Sequence, residues 1–140
     1  MATVLVVDDR ATNRELVRTL LTYGGHQVIE AHEGAEALDL AHGRHPDLVL
    51  TDILMPGMDG YELARELRAA PDTAATPIVF YTANYQEAET RPFAEACGVA
   101  RVLLKSADPQ VLMALLRRFE RVVAAAGVEP AVVVGGVVAG

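Results

Sequence analysis

Leu48-Val49-Leu50-Thr51-Asp52-Ile53-Leu54-Met55-Pro56-Gly57-Met58-Asp59-Gly60 is the stretch that decides the fold. An apolar, strand-forming run ends on a carboxylate and passes at once into a proline–glycine turn. A second run, Val4-Leu5-Val6-Val7, ends on Asp8 and Asp9. Near-continuous apolar runs mark parallel strands covered on both faces, and open α/β sheets bind ligands at the C-terminal ends of such strands. Two of them together deliver carboxylates to one acidic pocket. Like charges about 4 Å apart repel by about 1 kcal/mol in bulk water and by about 4 kcal/mol at an effective dielectric near 20, so such a pocket calls for a cation. Oxygen-only ligands point to Mg2+.

Outward from these two runs, strand patterns recur at Gln27–Glu30, Ile78–Tyr81 and Arg101–Leu104. Helical patterns fill the gaps. Leu16, Val17, Leu20 and Leu21 repeat at helical spacing behind a Thr12-x-x-Glu15 capping box, and Gly24-Gly25 stops that helix. A shorter helix spans Glu33–Gly43. Asp59-x-x-Glu62 caps a third, with Leu63 and Leu67 inward and Pro71 at its end. Pro92 falls inside the stretch between Asn84 and Cys97, where it is expected to break the helix or start a second short one. Asp108-Pro109 opens the last helix, which runs through Leu112, Leu115, Leu116, Phe119, Val122 and Val123 to Gly127, with Arg117, Arg118, Glu120 and Arg121 outward. The alternation implies an α/β, flavodoxin-like (βα)5 fold. Its five-stranded parallel sheet has order 2-1-3-4-5, with helices on both faces.

A chain of 140 residues, 51% hydrophobic and 22% charged, fits one domain with a buried sheet. Residues 1–126 are assigned to it, and 127–140, mostly valine, alanine and glycine, to a disordered tail or a truncated linker. Net charge is −7 and no basic run exceeds Arg117-Arg118, so direct nucleic-acid binding is not expected. No apolar run approaches the roughly 20 residues of a membrane span, and nothing reads as a signal peptide. The lone Cys97, before Gly98, reads as a small buried packing residue and fits a reducing compartment. The expected location is the cytoplasm. His26, His42 and His45 share no zinc-ligand spacing, and His32 reads as a surface residue. Met55 and Met58 are assigned to packing around the turn.

Strand ends bring further groups to the pocket: Thr82 after the fourth strand and Lys105 after the fifth. Lys105 is the only lysine beside eleven arginines, which suits a compact point charge. Anionic sites, a hydroxyl and an ammonium together suit a phosphoryl group. A metal and the ammonium relieve the charge repulsion, the hydroxyl hydrogen-bonds a phosphoryl oxygen, and Asp52 acts as nucleophile, forming an acyl phosphate. A competing role for the Asp8-Asp9 pair is to cap the first helix; one of them can do so while Asp9 contacts the metal.

Val6-Val7-Asp8-Asp9, Thr51 to Gly60, Thr82-Ala83 and Lys105 together resemble the receiver domains of two-component response regulators, over about residues 3–124. The resemblance implies phosphorylation of Asp52 by a histidine kinase or phosphotransfer protein. It implies Mg2+ held by Asp8, Asp9, Asp52 and the Leu54 backbone carbonyl, and an inward shift of Thr82 that alters the face of helix 4, strand 5 and helix 5. Leu54 and Asn84 would tune the phosphoryl lifetime. A downstream effector domain or a homodimer through helices 4 and 5 would carry the output.

Two positions depart from the family pattern. Ser106 follows Lys105 where the family has a proline in a cis bond, and Val102 stands where the family places a switching Tyr or Phe. With Pro92, these changes touch the output face and leave the acid pocket intact. Two rivals follow. One is a degenerate receiver that binds a partner constitutively. The other is an aspartate-nucleophile phosphatase, against which Leu54 stands where a general acid is needed.

Overall fold

The computed structural model describes residues 2–83, 87–99, 101–105, 109–126 and 137–138; for 87–90, 101, 119–126 and 137–138 only the backbone is described. Strands β1 (Thr3–Val7), β2 (Gln27–Ala31), β3 (Leu48–Thr51), β4 (Ile78–Thr82) and β5 (Arg101–Leu104) alternate with helices α1 (Ala11–Tyr23), α2 (Gly34–Arg44), α3 (Gly60–Ala69), α4 (Glu87–Ala96) and α5 (Pro109–Ala126). All strand pairs are parallel, and these five strands lie in the order 2-1-3-4-5 expected from the alternation. A two-residue strand, β6 (Val137–Val138), pairs with Val102 and Leu103 at the β5 edge. The sequence offered no core for that segment to join, yet its valines extend the sheet. The rest of 127–140 lies outside the described residues.

The pleat divides the strands between two apolar layers. Val4, Val6, Leu48, Leu50, Val79 and Leu103 face Val17 and Leu21 of α1 and Leu112, Leu115 and Leu116 of α5. Leu5, Val7, Val49, Ile78, Phe80 and Val102 face α2, α3 and α4. Met55 is buried and Met58 packs beside it, so both methionines serve packing as read. Cys97 is buried, and burial pushes its thiol pKa up.

Several local expectations are corrected. The α1 capping box does not form: the helix begins at Ala11, with Arg10 at the cap, because the Arg10 amide donates to Asp8 Oδ1 (2.9 Å) and starts the turn ahead of Thr12. Leu16 is 58% exposed, leaving Val17 and Leu21 to carry the buried stripe. Pro92 does not break α4, which runs from Glu87 to Ala96. Pro92 lies in the second turn, where it removes one helical hydrogen bond. Buried Ala94 and Cys97 hold the remainder against the core. Other signals hold. Asp59 Oδ1 accepts the Glu62 amide (2.8 Å) at the start of α3, and Gly24 closes α1. Asn84, Ser106 and Asp108 lie outside the described residues, as do the side chains of Phe119, Glu120, Arg121, Val122 and Val123.

Candidate functional site

The backbone at the C-terminal edge of the sheet is laced together before any side chain enters. The Asp52 amide donates to the Val7 carbonyl (2.9 Å), the Asp8 amide to Ala31 (3.1 Å) and the Lys105 amide to Thr82 (2.8 Å). These bonds tie the end of β1 to β2 and β3 and the end of β5 to β4, and the β3–β4 pairing closes the row.

Three carboxylates meet there. Asp8, Asp9 and Asp52 each offer an oxygen, all within 4.8 Å of one another, the one such acidic group among the described residues. Asp8 and Asp52 are nearly buried, 5% and 9% exposed, while Asp9 is open to solvent. Lys105 Nζ bridges the buried pair, donating to Asp8 Oδ2 (2.6 Å) and Asp52 Oδ2 (2.9 Å). The opposite oxygens are also assigned: Asp8 Oδ1 accepts the Arg10 amide and Asp52 Oδ1 the Ile53 amide (2.7 Å). Each buried carboxylate is therefore held by one backbone donor and one shared ammonium. Burial alone pulls the Lys105 pKa down, because the charged form loses water. The hydrogen bonds to Asp8 and Asp52, and then their charges, outweigh it and lift the pKa above the ordinary lysine value. Tyr81, half-buried next to Thr82, has its phenol pKa pushed up, mainly by burial.

Asp8, Asp9, Asp52 and Lys105 are thus brought together as the sequence implied. Thr82 is buried at the end of β4 and joins the cluster through its carbonyl bond to Lys105. Leu54 follows in the loop after β3 and is 68% exposed, an apolar residue two places beyond Asp52.

Three contributors were not read from the sequence. Arg14 donates to the Asp8 main-chain carbonyl (2.6 Å) and lies 3.4 Å from Glu30, bracing the β1–α1 corner. Gly60 packs the start of α3 so tightly on the end of β3 that an added Cβ would overlap the Asp52 carbonyl oxygen. Its place after the Asp59 cap was visible, but the close approach is a property of the folded loop. Arg68 reaches the carbonyls of Cys97 (3.2 Å), Gly98 (2.9 Å), Ala74 (3.0 Å) and Thr76 (2.6 Å), tying α3 to the end of α4. As one exposed-looking arginine on an amphipathic helix, it gave no signal.

This architecture is that of the flavodoxin-like, CheY-type fold. The chain belongs to the response regulator receiver domain family, whose pattern matches residues 4–117. It is 34% identical over 113 residues to protein PilH of Pseudomonas aeruginosa, covering 81% of this chain and 93% of PilH. It is 39% identical over 119 residues to the sensor protein EvgS of Escherichia coli K12, covering 85% of this chain but 10% of EvgS. The chemotaxis protein CheY4 of Vibrio cholerae superimposes with a TM-score of 0.79 at 33% identity, covering 84% of this chain and 98% of that one. The chain is thus a two-component receiver domain, a regulatory module of a kind found both nearly alone and within much longer proteins. Among the described residues no helix is long and apolar enough to cross a membrane.

Proposed function

We propose that Asp52 accepts a phosphoryl group from the phosphohistidine of a histidine kinase or phosphotransfer protein, and that the chain acts as a cytoplasmic signalling switch. The supporting observation is the ammonium of Lys105 shared between two nearly buried carboxylates, with a third carboxylate at the mouth. An Asp52 oxygen forms a bond to phosphorus as the phosphorus–nitrogen bond breaks, and that electron pair stays on the imidazole nitrogen. Water later cleaves the acyl phosphate, returning the carboxylate and releasing inorganic phosphate. The Ile53 amide fixes the Asp52 carboxylate plane. Lys105 can turn from Asp52 Oδ2 to a phosphoryl oxygen, and the Thr82 hydroxyl can donate to another.

The all-oxygen donor set fits Mg2+, held by Asp8, Asp9, Asp52 and the Leu54 backbone carbonyl. When bound, the ion supplies positive charge that offsets repulsion between an anionic nucleophile and an anionic donor. Turnover of external phosphate esters is disfavoured because Leu54 supplies no general acid. The output passes to an effector domain or a homodimer. The buried Val102 favours one alternative, a constitutive binding module whose pocket no longer switches anything. Incubation with acetyl phosphate and Mg2+, read by intact mass, tests the proposal. One phosphoryl group is expected, absent in Asp52→Asn and in excess EDTA. No mass gain in the unsubstituted chain leaves the constitutive module.

A further inference from the structure

The aromatic that would relay the pocket's state along β5 is missing, since Val102 fills that position inside the core, paired with Phe80. A different aromatic line leaves Phe80. The Tyr61 ring meets Phe80 edge-on, with centroids 5.3 Å apart at 89°, and meets Phe93 at 5.2 Å and 48°. Phe80 is fully buried and Phe93 is 55% exposed, so the line runs from the sheet to the surface of α4.

Tyr61 is also the residue after Gly60, whose amide donates to the Ile53 carbonyl (2.7 Å). Gly60 leaves no room for a methyl group between the first turn of α3 and the Asp52 backbone. We propose that phosphorylation of Asp52 is transmitted to the α3–α4 face through Gly60 and Tyr61, with Phe93 as its exposed end. This rests on the phosphoacceptor function above.

Close-packed contacts transmit displacement rather than absorb it, so a shift of the Asp52 backbone moves the first turn of α3. Phe80 is fully enclosed by the core, so the half-buried Tyr61 ring is blocked on the sheet side and yields outward, where Phe93 lies against it. The far end of α4 is pinned, because Arg68 binds the Cys97 and Gly98 carbonyls and anchors them to Ala74 and Thr76. Pro92 lacks the amide that would tie the turn ahead of Phe93 to the preceding one. The helix is thus held at its C-terminus, loosened before its middle and pushed at Phe93.

The chain has no tryptophan, so Phe93→Trp installs a lone reporter. Intact mass and the emission of the introduced indole are read on the same sample with acetyl phosphate and Mg2+. The expected result is an emission shift that appears with the mass gain and reverts with its loss. It is retained with Tyr61→Phe and lost with Tyr61→Leu, although Tyr61→Leu still gains the phosphoryl mass. Backbone amide shifts of Tyr61 and Phe93 in the unsubstituted protein provide a second readout, and should move more than that of Leu112 on α5. Phosphorylation with a silent indole and unmoved amides overturns this inference alone, as does a full response in Tyr61→Leu. Failure to gain mass overturns the phosphoacceptor function and this route with it.

Discussion

The acid pocket and the α4–β5 side of the sheet are built to different tolerances. At the pocket, each oxygen of Asp8 and Asp52 has a named donor. On the α4–β5 side, Val102, Phe80 and Ala94 meet only by shape, in one apolar cluster. A buried charge that loses its partner costs several kcal/mol, whereas an apolar contact can be replaced by another of similar volume for about 1.5 kcal/mol or less. Of the departures from the family pattern, Val102 and Pro92 fall on the forgiving side, while Ser106, next to Lys105, lies outside the described residues.

Removing the pocket's cation should break this contrast most strongly. Lys105→Met leaves Asp8 and Asp52 facing each other with only their backbone donors, and side chains 7% and 11% exposed. Breaking a buried pair by deleting one partner costs about 3–5 kcal/mol, and the open mouth at Asp9 should reduce this to about 2–3 kcal/mol. Added Mg2+ should recover more melting temperature in the variant than in the parent, because the ion replaces the lost charge. Thermal unfolding with and without Mg2+ checks both expectations, and equal Mg2+ responses would show that the carboxylates were never in tension.

Gly60→Ala comes next. Its methyl group would press on the Asp52 carbonyl and, at 2.9 Å, on Ile53 Cα, both backbone atoms. Overpacking of this kind costs about 1–3 kcal/mol. Because the strain falls on the backbone of Asp52, the proposed phosphoacceptor, the phosphorylation rate should drop together with stability. A variant that loses stability but phosphorylates at the parent rate would show that the pocket does not feel α3.

The same contrast explains what the sequence made legible. Asp8, Asp9, Asp52 and Lys105 could be placed because apolar strand runs end on them, and a parallel sheet aligns strand ends at one edge. The strand order followed from the alternation of patterns. What escaped was set by approach between elements distant in sequence. Arg68 meets the end of α4, far along the chain, and the Gly60 contact exists only once the loop folds back. The Thr12 capping box failed because Asp8, a residue already assigned to the metal, also satisfied the first backbone donor of the turn. One side chain served two ends, and local pattern rules count each signal separately.

Val102→Ala sharpens the comparison from the apolar side. Val102 is 5% exposed, and deleting two methyl groups at about 0.8 kcal/mol each, with a small cavity term, should lower stability by about 2 kcal/mol. Phosphorylation of Asp52 should proceed at the parent rate. Denaturant unfolding paired with mass-detected phosphorylation separates the two, and a slowed reaction would mean that β5 packing does reach the pocket.

The pH dependence of the Lys105 pair is the smallest effect expected. Its pKa in the folded state is raised above 10.5, burial being outweighed by the bonds to Asp8 and Asp52. A group raised on folding contributes stability that is fully present below its unfolded pKa and lost as pH climbs through the folded one. The stability gap between the parent and Lys105→Met should therefore stay level from about pH 7 to about pH 10, then narrow at higher pH. Urea unfolding of both proteins across that range reads the gap directly. If it widens already between neutral pH and the ordinary lysine value, the folded-state pKa lies below the unfolded one, desolvation dominates the ammonium, and the pocket holds its lysine against a net cost.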